Sequence, residues 1–485
     1  MDTQESPRSG LAGFLEGHGE LLVWGVVLQC LILVPLLLLS QGYLPPDDCL
    51  RHAAKAVDGR AWSEILVLRP GILSDPHVAW NGLLRGIHLL TGWGPDGLVA
   101  LTVAGLFLLV MAAPLYWFKA PEAWLGSWVL LWVAGGSQIR PILGRPFLVP
   151  MAALLALMCL WTRGGPVTRR GWALSTALFG AGALLHGAWY LFALVPLAFL
   201  VAGRLRDGGV LSGCYALGCL LAALVSGHPV DFLAGQLIHM GHAVAPIANP
   251  LLAVPELGPS HGAGFVGVAL LAVVLFQVRR GREARLLKDP LFVLVLIGWL
   301  LGLFSKRFWI DWSYPCGALW LAFQLEPWFQ RLGARAPLRR LTLAAATGLA
   351  AILLISTGDE GRWTDRSRDT SFLFRADLQP WLPGAGGILY SPDMTTFFDL
   401  YFAKPKAPWR YMVGFEPGMM PPEDLAIFHG ILLDPQNPAP YGPWIAKMRP
   451  EDRLLLRSSR SPQFLLPGLQ WCRAASNLWL GRKTG

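Results

Sequence analysis

In this 485-residue chain only 15% of residues are charged, 54% belong to the set AVILMFWYC, 22 are Trp, and mean hydropathy is +0.46, which excludes an ordinary soluble domain and points to a membrane protein. A formal net charge of +9 would suit nucleic acid. The Lys and Arg residues, however, fall in short clusters between apolar runs, as loops facing lipid headgroups require, so membrane lipids and not nucleic acid are the expected surroundings.

The first apolar run, Leu21 to Ser40, carries no charge and is about 20 residues long, enough to cross a hydrocarbon core of roughly 30 Å. Its acidic N-terminal flank and the lack of a small-x-small site argue for a retained span over a signal peptide. Further apolar segments are placed at about 97–118, 123–138, 147–161, 172–185, 188–203, 209–226, 262–278, 290–304, 314–329 and 341–357. The expected fold is therefore an α-helical polytopic membrane protein of about 11 transmembrane helices. Residues 172–203 allow one long span or two short ones meeting at His186 and Gly187. Two keep the basic stretch 279–289 with the other Lys- and Arg-rich loops.

Orientation follows from those loops. The set holding Lys119, Arg163, Arg204, Arg280 and Arg340 is richer in Lys and Arg than the opposite set and is assigned to the cytoplasm. The N-terminus is then cytoplasmic, and the first long loop, 42–96, faces outward. Within that loop, Asp48 to Val57 reads as a short amphipathic helix with Asp47 as N-cap, and Pro76 to Leu90 as a second helix lying in the membrane interface.

From residue 358 charge and proline increase. Short apolar runs at 387–390, 410–413, 453–456 and 478–480 read as strands, and Met394–Phe402 and Pro422–Gly430 as helices between them. The expected division is a membrane domain over 1–357 and a small C-terminal α/β extracytoplasmic domain over 358–485.

Asp47 and Asp48 are the leading candidates for chemistry. A helix N-cap plus a dipole-complementing acid is the plainer use of such a pair. Capping needs only one of the two, and a carboxylate held at the membrane surface can act as general base or metal ligand, so Asp47 is the expected cap and Asp48 the first choice for chemistry. The same loop carries Asp75 and His77. Cations fall at other turns on the same face: Arg140 and Arg145, His186, His228, and Lys306 with Arg307, followed by Asp311. Snorkelling accounts for any one of these. Together they suit a phosphate or diphosphate, for which Arg offers a planar fork. Trp189, Tyr190, Trp309 and Trp312 could stack on a sugar, although interfacial aromatic belts are the commoner use.

Other features carry less. His239 and His242 stand at i, i+3 with no obvious third ligand, Gly384–Gly387 lacks the Lys of a phosphate-binding loop, and His429 stands alone in the tail. Cys49 and Cys472 share the expected outer compartment and could in principle pair.

The order of parts resembles the GT-C class of polyprenyl-phosphate-sugar-dependent membrane glycosyltransferases. The resemblance rests on a first span, Pro45–Asp48 in an outer loop with interface helices, Arg140 and Arg145 each followed by Pro before a short span, the 185–190 turn LHGAWY, Lys306–Trp309 at a later turn, and an outer C-terminal domain. It covers nearly all of residues 20–357, while the tail matches in position only. It implies a GT-C-like body in a bacterial-type inner membrane and a polyprenyl-phosphate-linked sugar as donor. It further implies a glycan, lipid or protein acceptor, and Asp48 or Asp47 as base or metal-organising acid, with a divalent metal ion as candidate cofactor. Arg140, Arg145, His186, Lys306 and Arg307 would then contact the donor phosphate, and Asp75, His77, Trp189, Tyr190, Trp309 and Asp311 the rest of the substrate. The tail shows no WWD-type acceptor motif, so protein N-glycosylation is not expected. The alternative from another class is a non-enzymatic lipid-linked-glycan transporter or assembly scaffold. A transporter would place ionisable groups in mid-span, and a scaffold would leave these acids and cations scattered.

Overall fold

The first apolar run is a 30-residue helix, α1 (Leu11–Ser40). It buries Val23, Val27, Leu31, Val34 and Leu38 on one face and leaves Leu21, Leu28, Ile32 and Leu36 exposed on another, the pattern of a helix packed on protein on one side and on lipid on the other. In this computed structural model residues 11–70, 77–133, 140–164, 168–244, 286–356 and 361–483 are described, with scattered positions between 258 and 281.

After α1 come α2 (Asp48–Asp58), a single turn α3 (Trp62–Ile65) and α4 (Val78–Thr91), all within the first long loop. The bundle continues through α5 (Pro95–Ala112), α6 (Pro121–Val133), α7 (Leu148–Arg163), α8 (Arg169–His186), α9 (Leu194–Val201), α10 (Leu205–Val225) and α11 (Pro229–Val244). It closes with α12 (Pro290–Gly302), α13 (Tyr314–Arg335), entered through a π-helical turn at Phe308–Ser313, and α14 (Pro337–Ser356). Among the described residues four helical stretches are long and apolar enough to cross a membrane: His18–Ser40, Pro95–Trp117, Leu205–Val225 and Pro337–Ser356. Shorter apolar helices lie at Leu148–Arg163, Trp189–Val201 and Pro290–Gly302. The expected segment 262–278 lies largely outside the described residues.

Residues 172–203 form two segments. Helix α8 ends at His186 because Gly187 adopts φ 79°, a left-handed conformation that costs an L side chain roughly 1 kcal/mol and glycine nothing. The chain then turns back, so that Arg204 donates to the carbonyl of Trp161 at the far end of α7.

One end of the bundle gathers the basic loops. Arg340 pairs with Glu122 and donates to the Lys119 carbonyl, while Glu326 pairs with Arg163 and accepts from the Lys119 and Ala120 amides. Arg145 precedes and Arg163 ends the 16-residue α7, so at 1.5 Å per residue the two ends stand about 24 Å apart. Between them Trp124, Trp128 and Trp132, spaced i, i+4 along α6, form a fully buried stripe against Tyr314.

The tail is a small α/β unit. After α15 (Trp363–Thr370), strand β1 (Ile388–Tyr390), α16 (Met394–Ala403), β2 (Arg410–Tyr411), α17 (Pro422–Leu433), α18 (Gly442–Lys447), β3 (Arg453–Arg457), β4 (Leu469–Arg473) and β5 (Leu478–Lys483) build a five-stranded sheet of order β2-β1-β3-β5-β4. Strand β1 runs parallel to β2 and β3, whereas β5 is antiparallel to β3 and β4. The sequence pattern anticipates four of these strands but not β4, whose buried and exposed positions do not alternate cleanly.

This unit docks on the first long loop. Leu66 bridges Tyr411 in parallel, the Val67 amide donates to the Tyr411 carbonyl at 3.0 Å, and the Arg69 amide donates to the Met419 carbonyl at 2.8 Å. The Tyr401 hydroxyl donates to Asp58 Oδ2 at 3.0 Å. One apolar cluster therefore runs from the bundle through α2 and α3 into Phe397, Tyr401 and Leu480 of the tail.

Candidate active site

The site is built on the first turn of α2. Asp47 is its N-cap and accepts from the Asp48 amide through Oδ1 at 2.6 Å. The same carboxylate is gripped by Arg145, with Nε donating to Oδ1 at 2.7 Å and Nη2 to Oδ2. Gly144 brings this arginine in: its φ is 62°, and a Cβ there would lie 2.8 Å from Cys49 Sγ and 3.2 Å from Thr102 Oγ1. Only a residue without a side chain lets the loop before α7 approach α2 so closely.

Asp48 is differently placed. Its Oδ1 accepts from Arg51 Nε at 2.6 Å, and its side chain keeps 26% exposure while Arg51 keeps 2%. Burial works to raise its pKa, but Arg51, Arg145 and His52 together hold the carboxyl well below the usual range, so it is ionised at neutral pH. Arg51 in turn lies under the ring of Phe415 from the tail, with Cζ 3.9 Å from the centroid.

Three histidines line up beside this pair. His52 Nδ1 and Asn81 Oδ1 are 2.7 Å apart, the rings of His52 and His77 are 4.9 Å apart, and those of His77 and His186 are 5.5 Å apart. Burial first, then Arg51 and the two neighbouring histidines, keep His77 well below its ordinary pKa and hence neutral. His186 lies within electrostatic reach of Arg307, Asp48, His52 and Arg140, and Tyr190 within reach of Arg307 and Glu416.

Arg140, the second expected phosphate fork, also holds a carboxylate: Nε and Nη2 donate to Asp311 at 2.6 and 2.7 Å, with Cζ 4.1 Å from the Phe147 ring centroid. Both arginines therefore spend one edge of the guanidinium on protein, and Asp311 is an ion-pair partner in this structure. Trp309 is buried edge-on against Tyr314, and Trp312 against Phe192, so both are packed side chains. Trp189 meets Tyr190 edge-on near the turn at Gly187. Lys306 is fixed through its backbone amide, which donates to the Gly258 carbonyl at 2.7 Å. Asp75 lies outside the described residues, as do the side chains of His239 and His242.

The described residues do not make a metal centre. Asp47 and Asp48 are both taken up by guanidinium groups, and among the described residues no group of three His, Cys, Asp or Glu side chains could hold an ion. Cys49 is buried against Thr102 with its thiol pushed up to about 12 by burial, and it is not paired with Cys472, which sits on β4.

Sequence reading missed Arg51, His52, Asn81 and Phe415. Arg51 was within its reach, since i, i+3 from Asp48 on a helix is an ion-pair spacing. Asn81 and Phe415 carry no local signal.

No family model matches the chain, and no curated protein matches it by sequence. Solved structures do. An arabinofuranosyltransferase, AftD from Mycobacteria, superposes with a TM-score of 0.52 at 17% identity over 95% of this chain and 40% of its own. The Archaeoglobus fulgidus oligosaccharyltransferase complexed with Zn and sulfate gives 0.54 at 13% identity over 88% of this chain and 68% of its own. ArnT from Cupriavidus metallidurans bound to undecaprenyl phosphate gives 0.54 at 15% identity, over 98% of this chain and 99% of its own. The chain has the GT-C fold. In this GT-C body the Asp47–Asp48 turn, the Arg140–Arg145 loop, the 186–190 turn and the 306–311 turn meet at one end of the bundle, beneath the tail.

Proposed function

We propose that this chain is an integral-membrane glycosyltransferase that moves a sugar from a polyprenyl-phosphate donor to a glycan, lipid or protein acceptor at the outer face of a bacterial-type inner membrane. The observation that carries this reading is the convergence of Asp47, Asp48, Arg145, Arg140, His186 and Arg307 from four separate chain segments. A scaffold has no need of such convergence, and ionisable groups gathered at a bundle end do not line a transport path. The likeness to ArnT, solved with undecaprenyl phosphate, supports the donor class.

In this reading Asp48, ionised and partly open, accepts the proton of an acceptor hydroxyl as its oxygen attacks the anomeric carbon, and the sugar–phosphate bond breaks. Lys306, Arg307 and His186 receive the departing phosphate. Arg140 and Arg145, each holding a carboxylate, assist by the positive charge they bring to the departing phosphate. Asp47, as cap and partner of Arg145, holds the turn. His77, Trp189, Tyr190, Trp309 and Asp311 are assigned to the walls of the substrate space, and Asp75 is kept as a candidate substrate contact. About eleven spans, a cytoplasmic N-terminus, and a boundary near 357 between the membrane body and an extracytoplasmic domain complete the proposal.

The test replaces Asp48 and Asp47 singly with Asn and follows sugar transfer in membranes, beside mass spectrometry of cell-surface glycans with and without the protein. Full transfer by both variants at normal expression overturns the reading.

A further inference from the structure

The Asp48–Arg51 pair is not an ordinary surface i, i+3 bridge. Such bridges are screened and contribute little, but the Arg51 side chain is 2% exposed, so its charge has been taken out of water. Its Nη1 is buried with no hydrogen-bond partner among the described residues, a costly state for a guanidinium. Two contacts compensate: the 2.6 Å bond from Nε to Asp48 Oδ1, and the face of Phe415, 3.9 Å from Cζ.

Phe415 does not belong to the membrane body. It lies just after β2, and backbone bonds clamp it on both sides to the first long loop, Val67 to Tyr411 before it and Arg69 to Met419 after it. Its ring packs on Trp62 at 4.9 Å and near Phe397 at 6.3 Å, and it is 5% exposed. The ring therefore has little freedom, and it closes one face of the Arg51 guanidinium. Held there, Arg51 can offer Nε to Oδ1 only along a narrow direction, which fixes the Asp48 rotamer and leaves Oδ2, on which no hydrogen bond is described, as the oxygen for an incoming hydroxyl.

We propose that Arg51 and Phe415 are positioning residues for Asp48, so that the C-terminal domain aligns the acid of the membrane body and does more than cover it. This rests on the reading of Asp48 as the base, and its first test stands apart from catalysis. Full-length protein in detergent micelles is taken through a double-mutant cycle of Asp48→Asn and Phe415→Leu, read as apparent Tm, with Phe415→Tyr as a variant that keeps the ring. If the ring acts on Asp48 through Arg51, the two losses depart from additivity by about 1–2 °C, and Phe415→Tyr behaves as wild type. Additive losses, or equal behaviour of the Leu and Tyr variants, overturn the proposal. Should Phe415→Leu fail to fold, Phe415→Met takes its place in the cycle.

The second test is kinetic, with an undecaprenyl-phosphate-linked sugar as probe. Phe415→Leu should lower kcat about three- to tenfold with KM within about twofold, Arg51→Met should lower it further, and Phe415→Tyr should restore it. An unchanged kcat, or a change confined to KM, counts against positioning. A wild-type protein without transfer defeats the reading of the site itself and leaves the double-mutant cycle to decide the alignment.

Discussion

The two ends of the bundle use the same chemistry under different solvent access. At the end with the basic loops, Glu122 and Glu326 are 0% and 5% exposed and their oxygens are consumed by Arg340, Arg163 and two backbone amides. These pairs weld α6, α7, α13 and α14. At the other end Asp47, Asp48 and Asp311 keep 20%, 26% and 12% exposure although each holds an arginine. A carboxylate locked on all sides can only stabilise, whereas one left partly open can still meet a substrate.

Four variants break or sharpen this contrast. Asp48→Asn should reduce transfer about 10²- to 10⁴-fold and lower Tm, but by less than the next variant because the Asn amide oxygen still accepts from Arg51 Nε, as sugar-transfer assays and thermal unfolding of the same preparation would show. At the opposite end Arg340→Met leaves Glu122 buried and uncompensated. It should cost about 3–5 kcal/mol, seen as poor yield and a much lower Tm, with per-molecule activity of the folded fraction retained.

A third environment lies in the tail, where Asp399 faces Arg366 and Arg457 together with Asp393 and Asp369. Its Oδ1 sits 3.0 Å from Arg366 Nη1 without a hydrogen bond. Burial pushes this carboxyl up to about 6 against the pull of the two arginines. Because the folded pKa exceeds the unfolded one, the folded state binds the extra proton between about pH 4 and 6. Stability therefore falls as pH rises through that window and is flat above it. The full chain should unfold at higher temperature at pH 5 than at pH 7.5, by a difference worth about 1.4 kcal/mol, and Asp399→Asn should remove that dependence. The smallest effect is at the turn: Gly187→Ala should cost about 1 kcal/mol of stability through its left-handed φ, and a Tm unchanged within error would show that the backbone there relaxes.

The helical body was legible because its signals are local. Uncharged runs mark helices, a glycine after His186 marks a break, an acid before an amphipathic run marks an N-cap, and clustered Lys and Arg mark one set of loops. The sequence likewise brought forward Asp47, Asp48, Arg140 and Arg145. What it could not supply was their pairing. The sequence suggests Arg145 as a phosphate fork, whereas it reaches Asp47, 98 positions away, because Gly144 packs on Cys49 and Thr102. Arg140 finds Asp311 across 171 positions. Phe415 reaches Arg51 only because the tail adds a strand-like bridge to residues 66–69.

The chain by itself thus determined that it is a helical membrane protein with an acidic turn after its first span and cations at several later turns, since hydropathy, capping and charge clustering are written in neighbouring residues. Only the tertiary structure decided which arginine each acid holds, and that a residue of the C-terminal α/β region sits on Arg51 beside Asp48. Those outcomes depend on close approaches between segments far apart in sequence, set by backbone conformation and packing that no local pattern records.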